Sequence, residues 1–173
     1  GDYQGGSRSW TIFNKDGTVV YESGTSFEYA VAAIGHYPER RSGNKGVEPE
    51  SIEVATFGDT PMVFVGAERS SVVGVYDVSD PTTPVLTQLL PSGIGPEGYV
   101  SIPGRNLLVS ANEVDLIEDG GVRAHVMLFS YGEGRPTYPQ LTSEGITMPN
   151  GAPVGWGALS GLVADATAPG QLY

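Results

Sequence analysis

The sequence predicts an all-β protein of short strands. Three observations carry this: an excess of turn residues, short runs of alternating apolar and polar side chains, and a segment that returns after roughly 45 residues. The chain holds 25 glycines and 13 prolines in 173 residues, well above the combined average of about 12 %. Many turns imply many short strands. The longest helical candidate, residues 27–34 with Ala30, Ala32 and Ala33, runs for about two turns, which disfavours the α and α/β classes.

Taken in order, Ser9-Trp10-Thr11-Ile12-Phe13 alternates as a half-buried strand does. Asn14-Lys15-Asp16-Gly17 is a turn of the Asp-Gly type, and Thr18-Val19-Val20-Tyr21 returns as its hairpin partner. After the short helical stretch, one repeat copy runs Pro49-Glu50-Ser51-Ile52-Glu53-Val54-Ala55 and turns at Gly58-Asp59. It continues as Met62-Val63-Phe64-Val65-Gly66-Ala67-Glu68 and then Val72-Val73-Gly74-Val75-Tyr76-Asp77-Val78. A second copy runs Pro96-Glu97-Gly98-Tyr99-Val100-Ser101-Ile102, turns at Pro103-Gly104 and continues as Leu107-Leu108-Val109-Ser110-Ala111-Asn112-Glu113. After a longer loop comes Arg123-Ala124-His125-Val126-Met127-Leu128-Phe129. A third copy is expected to open at Ala158-Leu159-Ser160-Gly161-Leu162-Val163-Ala164-Asp165, turn at Pro169-Gly170 and stop at Gln171-Leu172-Tyr173, so that the C-terminus reads as a cut. The start at Gly1 without Met likewise reads as removal of an N-terminal portion.

One small twisted sheet cannot bury both faces, so units of three or four strands recurring at this spacing must stack on one another. The period matches a β-propeller blade of the WD40 or YVTN type. The expected organisation is residues 1–35 as outer strands of a preceding blade plus a connector, 36–92 and 93–150 as blades, and 151–173 as the truncated start of another. That makes roughly three to four blades of a larger propeller. Ser79-Asp80-Pro81-Thr82-Thr83-Pro84 and the Gly/Pro-rich residues 132–139 read as ordered surface loops.

Twenty acidic and nine basic side chains give a net charge of −11. Such a surface repels phosphate backbones, so nucleic acid is a poor partner; it suits bound cations, or simply good solubility. There is no cysteine, hence no disulfide and no thiolate chemistry. The most apolar stretch, residues 29–34, is far too short to span a bilayer.

The run from Ser9-Trp10-Thr11-Ile12-Phe13 through Tyr21-Glu22-Ser23-Gly24, then Arg41-Ser42-Gly43-Asn44-Lys45-Gly46-Val47-Glu48-Pro49-Glu50, resembles the bacterial choice-of-anchor I proteins. Phe64-Val65-Gly66-Ala67-Glu68-Arg69, Val75-Tyr76-Asp77-Val78-Ser79-Asp80-Pro81, Gly95-Pro96-Glu97-Gly98 and Ser110-Ala111-Asn112-Glu113 continue the resemblance. Gly157-Ala158-Leu159-Ser160-Gly161-Leu162 is similar to the opening of the related domain described as esterase-like activity of phytase. The resemblance implies a secreted, periplasmic or cell-surface bacterial propeller of the phytase-like or alkaline-phosphatase-like kind. The sequence departs from that family at Gly43 and Asn44, where acidic residues are common, and at Ser51, where glycine is common.

The recurrent carboxylates are the candidate metal ligands. Glu50 and Glu97 open the first strand of each copy, 47 residues apart, and Glu68 and Glu113 close the second strand, 45 apart. Corresponding positions of stacked units face one end of the central channel, where four carboxylates either raise one another's pKa or recruit a cation. Hard oxygen donors favour Ca²⁺ or Mg²⁺, with Ca²⁺ the expected cofactor. The competing reading gives each glutamate a structural role at a blade corner. Arg40, Arg41 and Lys45 form a basic cluster; Arg41 and Lys45, with Arg69, are the candidate anion donors for a phosphate ester. For the Arg40, Arg41 and Lys45 cluster a solvated loop is the favoured reading, since exposed charge runs are common.

His36 and His125 are the only histidines, and hydrogen-bonded structural roles suit both better than general-base chemistry. Neither zinc-type histidine spacing, nor a Gly-x-Ser-x-Gly elbow, nor a phosphate or dinucleotide glycine loop is present. Trp156 between two glycines reads as a wedge between blades rather than a sugar-stacking platform.

Two functions therefore stand side by side: a metal-dependent phosphoester hydrolase, and a non-catalytic extracellular propeller serving as a binding or adhesion scaffold. In both, the open edge of the last blade is expected to pair with the remainder of the parent chain or with another protein chain.

Overall fold

A computed structural model describes residues 8–171 except 135, 137, 139 and 158. Strands dominate, all sheets are antiparallel, and the one α-helix is two turns long. The chain is all-β, as its turn content requires.

The N-terminal hairpin pairs β1 (Thr11–Phe13) with β2 (Val19–Glu22). Its turn closes through Asn14, whose backbone N–H donates to the Thr18 carbonyl at 2.8 Å, and Asp16, whose carboxylate accepts from the Thr18 N–H at 3.0 Å. Helix α1 (Ser26–Ala33) follows where the alanine run predicts it. Gly35 ends it in the left-handed region, φ 75°, with its N–H on the Ala32 carbonyl at 3.0 Å.

A four-stranded sheet then forms in sequence order from β3 (Pro49–Phe57), β4 (Thr60–Ala67), β5 (Val72–Asp77) and β6 (Val85–Pro91). The first three strands are those of the repeat; β6 is a fourth strand not singled out in the sequence. Its run Val85-Leu86-Thr87-Gln88-Leu89-Leu90 breaks alternation at the end, and its pairing with β5 carries a register shift at Val75/Tyr76. A three-stranded sheet follows from β7 (Pro96–Ile102), β8 (Leu107–Asn112) and β9 (His125–Ser130).

The four-stranded sheet is apolar on both faces because both are covered. One face carries Val63, Val65, Val72 and Tyr76 against Trp10 of the hairpin and Phe27 and Val31 of α1. The other carries Phe57, Phe64, Val73 and Val75 against Tyr99 and Leu108 of the second sheet. This explains why β4 and β5 read as nearly continuous apolar runs rather than alternating ones. The junction is tight at Gly66: a Cβ there would lie 2.5–2.9 Å from the Tyr99 ring, so only glycine lets that ring rest on β4. A polar tie joins the two sheets where the Glu53 carboxylate accepts from the Ser101 backbone N–H at 2.8 Å and from the Ser101 hydroxyl. The far face of the second sheet, with Val100, Val126 and Leu128, is exposed.

Beyond β9 the chain returns to α1. The Ala33 carbonyl, an orphan of the helix C-terminus, accepts from the Ser143 N–H at 2.8 Å and from Trp156 Nε1 at 2.8 Å. Trp156 thus closes the end of a helix, with its ring over Gly35, instead of wedging between two sheets. Sequence spacing could not reveal a partner 123 residues away.

The expected opening of a third copy at Ala158 and its end at Leu172-Tyr173 lie outside the described residues, as does Pro139 of the Gly/Pro-rich loop. The described residues between 159 and 171 form no strand. They do form the expected turn: Asp165 accepts through its carboxylate from the Thr167 and Ala168 N–H groups, and its own N–H donates to the Gln171 carbonyl at 3.0 Å.

Candidate metal centre

The two sheets begin in the same unusual way. In β3 the pairing with β4 steps from Pro49↔Ala67 to Ser51↔Gly66, which leaves Glu50 as a bulge. In β7 the pairing steps from Pro96↔Asn112 to Gly98↔Ala111, which leaves Glu97 as a bulge. A bulge takes one residue out of the ladder and re-aims its side chain. At the other side of each bulge the second strand ends, and there the Glu68 N–H donates to the Glu48 carbonyl at 3.1 Å and the Glu113 N–H to the Gly95 carbonyl at 2.9 Å. Each sheet therefore delivers two glutamates to one corner, one from a bulge and one from a strand end.

The glutamates form two overlapping groups that share Glu68. Single carboxylate oxygens of Glu68, Glu97 and Glu113 lie within 4.8 Å of one another, and so do those of Glu48, Glu50 and Glu68. Glu68 belongs to both groups and is 2 % exposed, whereas Glu50, Glu97 and Glu113 open to solvent. Neither Glu68 oxygen accepts a hydrogen bond. Arg69 brings its Nη1 to 2.8 Å from Oε1 as an ion pair without hydrogen-bond alignment, and no donor reaches Oε2 among the described residues.

The electrostatics follow from burial and crowding. Burial, then the neighbouring Glu50 carboxyl, push Glu68 up to about 7, with Arg69 opposing. Partial burial, then the charges of Glu113 and Glu50, raise Glu97. Like charges this close hold a proton, or a cation in its place.

Glu48 is the residue that sequence reasoning missed. It is buried, and three cations converge on it: Arg41 Nη2 at 2.7 Å, Arg69 Nε at 3.1 Å, and Lys45 Nζ in close contact. Although burial works against it, the hydrogen bonds from Lys45, Arg69 and Arg41 bring its pKa down to about 2. A signal existed: three basic residues around the Glu48-Pro49-Glu50 segment of an acidic chain need a counter-ion. What hid it was Pro49, which reads as a strand start and draws attention to Glu50.

Arg41, Lys45 and Arg69 are thus brought together, but around a protein carboxylate. Arg40 has no ion pair among the described residues. His36 Nδ1 lies 3.0 Å from the Ser70 carbonyl and His125 Nδ1 2.7 Å from the Arg123 carbonyl, and neither histidine belongs to the carboxylate groups. Gly43 and Asn44 sit in the exposed loop before Lys45, where the Asn44 carbonyl accepts from Arg8 Nη2 at 3.2 Å.

Residues 3–81 match the choice-of-anchor I domain. The match spans slightly under half of the chain and supports the choice-of-anchor I family. A domain of this kind suggests an extracellular or cell-surface protein. The matched residues include Arg41, Lys45, Glu48, Glu50, Glu68 and Arg69 and end before β6; Glu97 and Glu113 lie beyond them. No curated protein and no solved structure matches the chain. Among the described residues no helix is long and apolar enough to cross a membrane.

Proposed function

We propose that the chain is part of a secreted or cell-surface β-propeller of the choice-of-anchor I kind, and that its carboxylate corner binds a divalent cation, with Ca²⁺ preferred. The observation that carries this reading is Glu68: a carboxyl buried to 2 % exposure whose oxygens accept no hydrogen bond and which lies among three further carboxylates, Glu50, Glu97 and Glu113. Burying such a group unpaired is costly, and a hard cation offsets the cost through oxygen coordination. Glu50, Glu68, Glu97 and Glu113 are the proposed ligands. Glu48 is excluded from the set because its charge is already matched by Arg41, Lys45 and Arg69.

Of the two functions open from the sequence, the non-catalytic binding scaffold is better supported. Phosphoester hydrolysis needs free anion donors beside the metal, whereas Arg41 and Lys45 are engaged with Glu48, and Arg69, the most exposed of the three, is shared between Glu48 and Glu68. Titration calorimetry with CaCl₂ tests the cation, with one site per chain expected. No heat of binding at millimolar Ca²⁺ would end the proposal. Release of p-nitrophenol from its phosphate, dependent on Ca²⁺ and lost in Arg69→Ala, would restore the hydrolase.

A further inference from the structure

The ligands come from two separate sheets. Glu50 and Glu68 bracket the corner of the four-stranded sheet; Glu97 and Glu113 bracket the corner of the three-stranded one. Between those sheets the junction has an apolar centre, where Phe64, Val73 and Val75 meet Tyr99 and Leu108. It also has a polar tie from Glu53 to Ser101. At the remaining end Glu68 faces Glu97 and Glu113 with oxygens within 4.8 Å. That end is held by like charges, with Arg69 as the nearby countercharge.

Coulomb repulsion at such separations pushes the sheets apart at this end of the junction, and a divalent cation reverses the sign of that interaction. We infer that the cation bound at Glu68, Glu97 and Glu113 is a clamp between the two sheets, so that extracellular Ca²⁺ controls how firmly one repeat unit is fixed to the next. This rests on the cation reading above and goes beyond it, since an ion could bind at the rim without tying the sheets together. The repeat supports the clamp: Glu68 and Glu113 hold corresponding positions, but only Glu68 is buried, and it is Glu68 that meets the carboxylates of the next sheet, Glu97 and Glu113.

Hydrogen exchange of the 173-residue chain in Ca²⁺ against EGTA tests the clamp. Slower exchange in Ca²⁺ is expected on both sides of the junction, in peptides covering residues 48–54 and 64–71 and those covering 95–102 and 108–114. At a Ca²⁺ concentration 100-fold above Kd the melting temperature should also rise by about 5–10 °C. Glu68→Gln should remove both effects while the protein still folds in EGTA, because the substitution removes a buried charge. Glu53→Gln, which weakens only the Ser101 tie, should keep the Ca²⁺-linked protection. Calorimetric binding with protection confined to residues 95–114 would overturn the clamp and leave cation binding standing. Absence of calorimetric binding would overturn both.

Discussion

Glu48 and Gly95 hold the same place in two successive sheets. Both lie immediately before a Pro-Glu pair, both adopt left-handed backbone, φ 55° and 66°, and both offer their carbonyl to a glutamate N–H at the end of the second strand. Glycine adopts this conformation without strain, whereas a residue with a Cβ incurs about 1–2 kcal/mol. The bulge that follows needs the left-handed residue; in the first sheet the strain is tolerated because the Glu48 carboxylate gathers three cations.

Substitution at these two positions should separate strain from charge. Gly95→Ala should destabilise by about 1–2 kcal/mol or more, because the new Cβ would also meet the Val114 side chain at 2.8 Å. Glu48→Gln keeps the strain and loses the charge, for about 2 kcal/mol; this lies below the cost of breaking a fully buried pair because the cations are partly exposed. Glu48→Gly loses the same charge but relieves the strain, so it should be less damaging than Glu48→Gln. Urea unfolding of the three variants checks the order, and a Gly variant less stable than the Gln variant would refute the strain account.

Gly66 should tolerate no Cβ. Gly66→Ala drives a methyl group into the Tyr99 ring at 2.5–2.9 Å and should cost about 1–3 kcal/mol by overpacking. Tyr99→Leu alone leaves a void against Phe64 and Val73 and should also destabilise. Combined, the two should destabilise by less than the sum of the single changes, since the smaller side chain gives the methyl room. Additive losses in thermal unfolding would mean that the ring and β4 do not press on one another.

In EGTA, stability should peak near pH 5. Glu68 is raised to about 7 from an ordinary value of 4.5, so the folded state holds a proton that the unfolded chain releases earlier. That contribution is complete below pH 4.5 and is lost as pH rises through 7. Glu48 is lowered to about 2, so its contribution is present above pH 4.5 and is lost as pH falls towards 2. Melting curves from pH 3 to 9 check both limbs. Glu68→Gln should flatten the alkaline limb and leave the acid one, while Glu48→Gln should do the reverse.

The all-β class, the hairpin about Asp16-Gly17, the short helix, most of the strands and the recurrence of glutamates at the same corner of two successive sheets were legible in the sequence. Each rests on local chemistry: turn residues, alternation, and identical residues recurring at one spacing, which stacking sheets must bring to one corner. The tertiary structure alone decided that Glu48 collects Arg41, Lys45 and Arg69, that Glu68 is the buried member of its set, and that Trp156 closes α1. Those outcomes depend on which segments approach through space and on which faces are covered. Burial and countercharge belong to the assembled neighbourhood, and residues of one type at equivalent repeat positions, such as Glu68 and Glu113, acquire different chemistry when only one of them is buried.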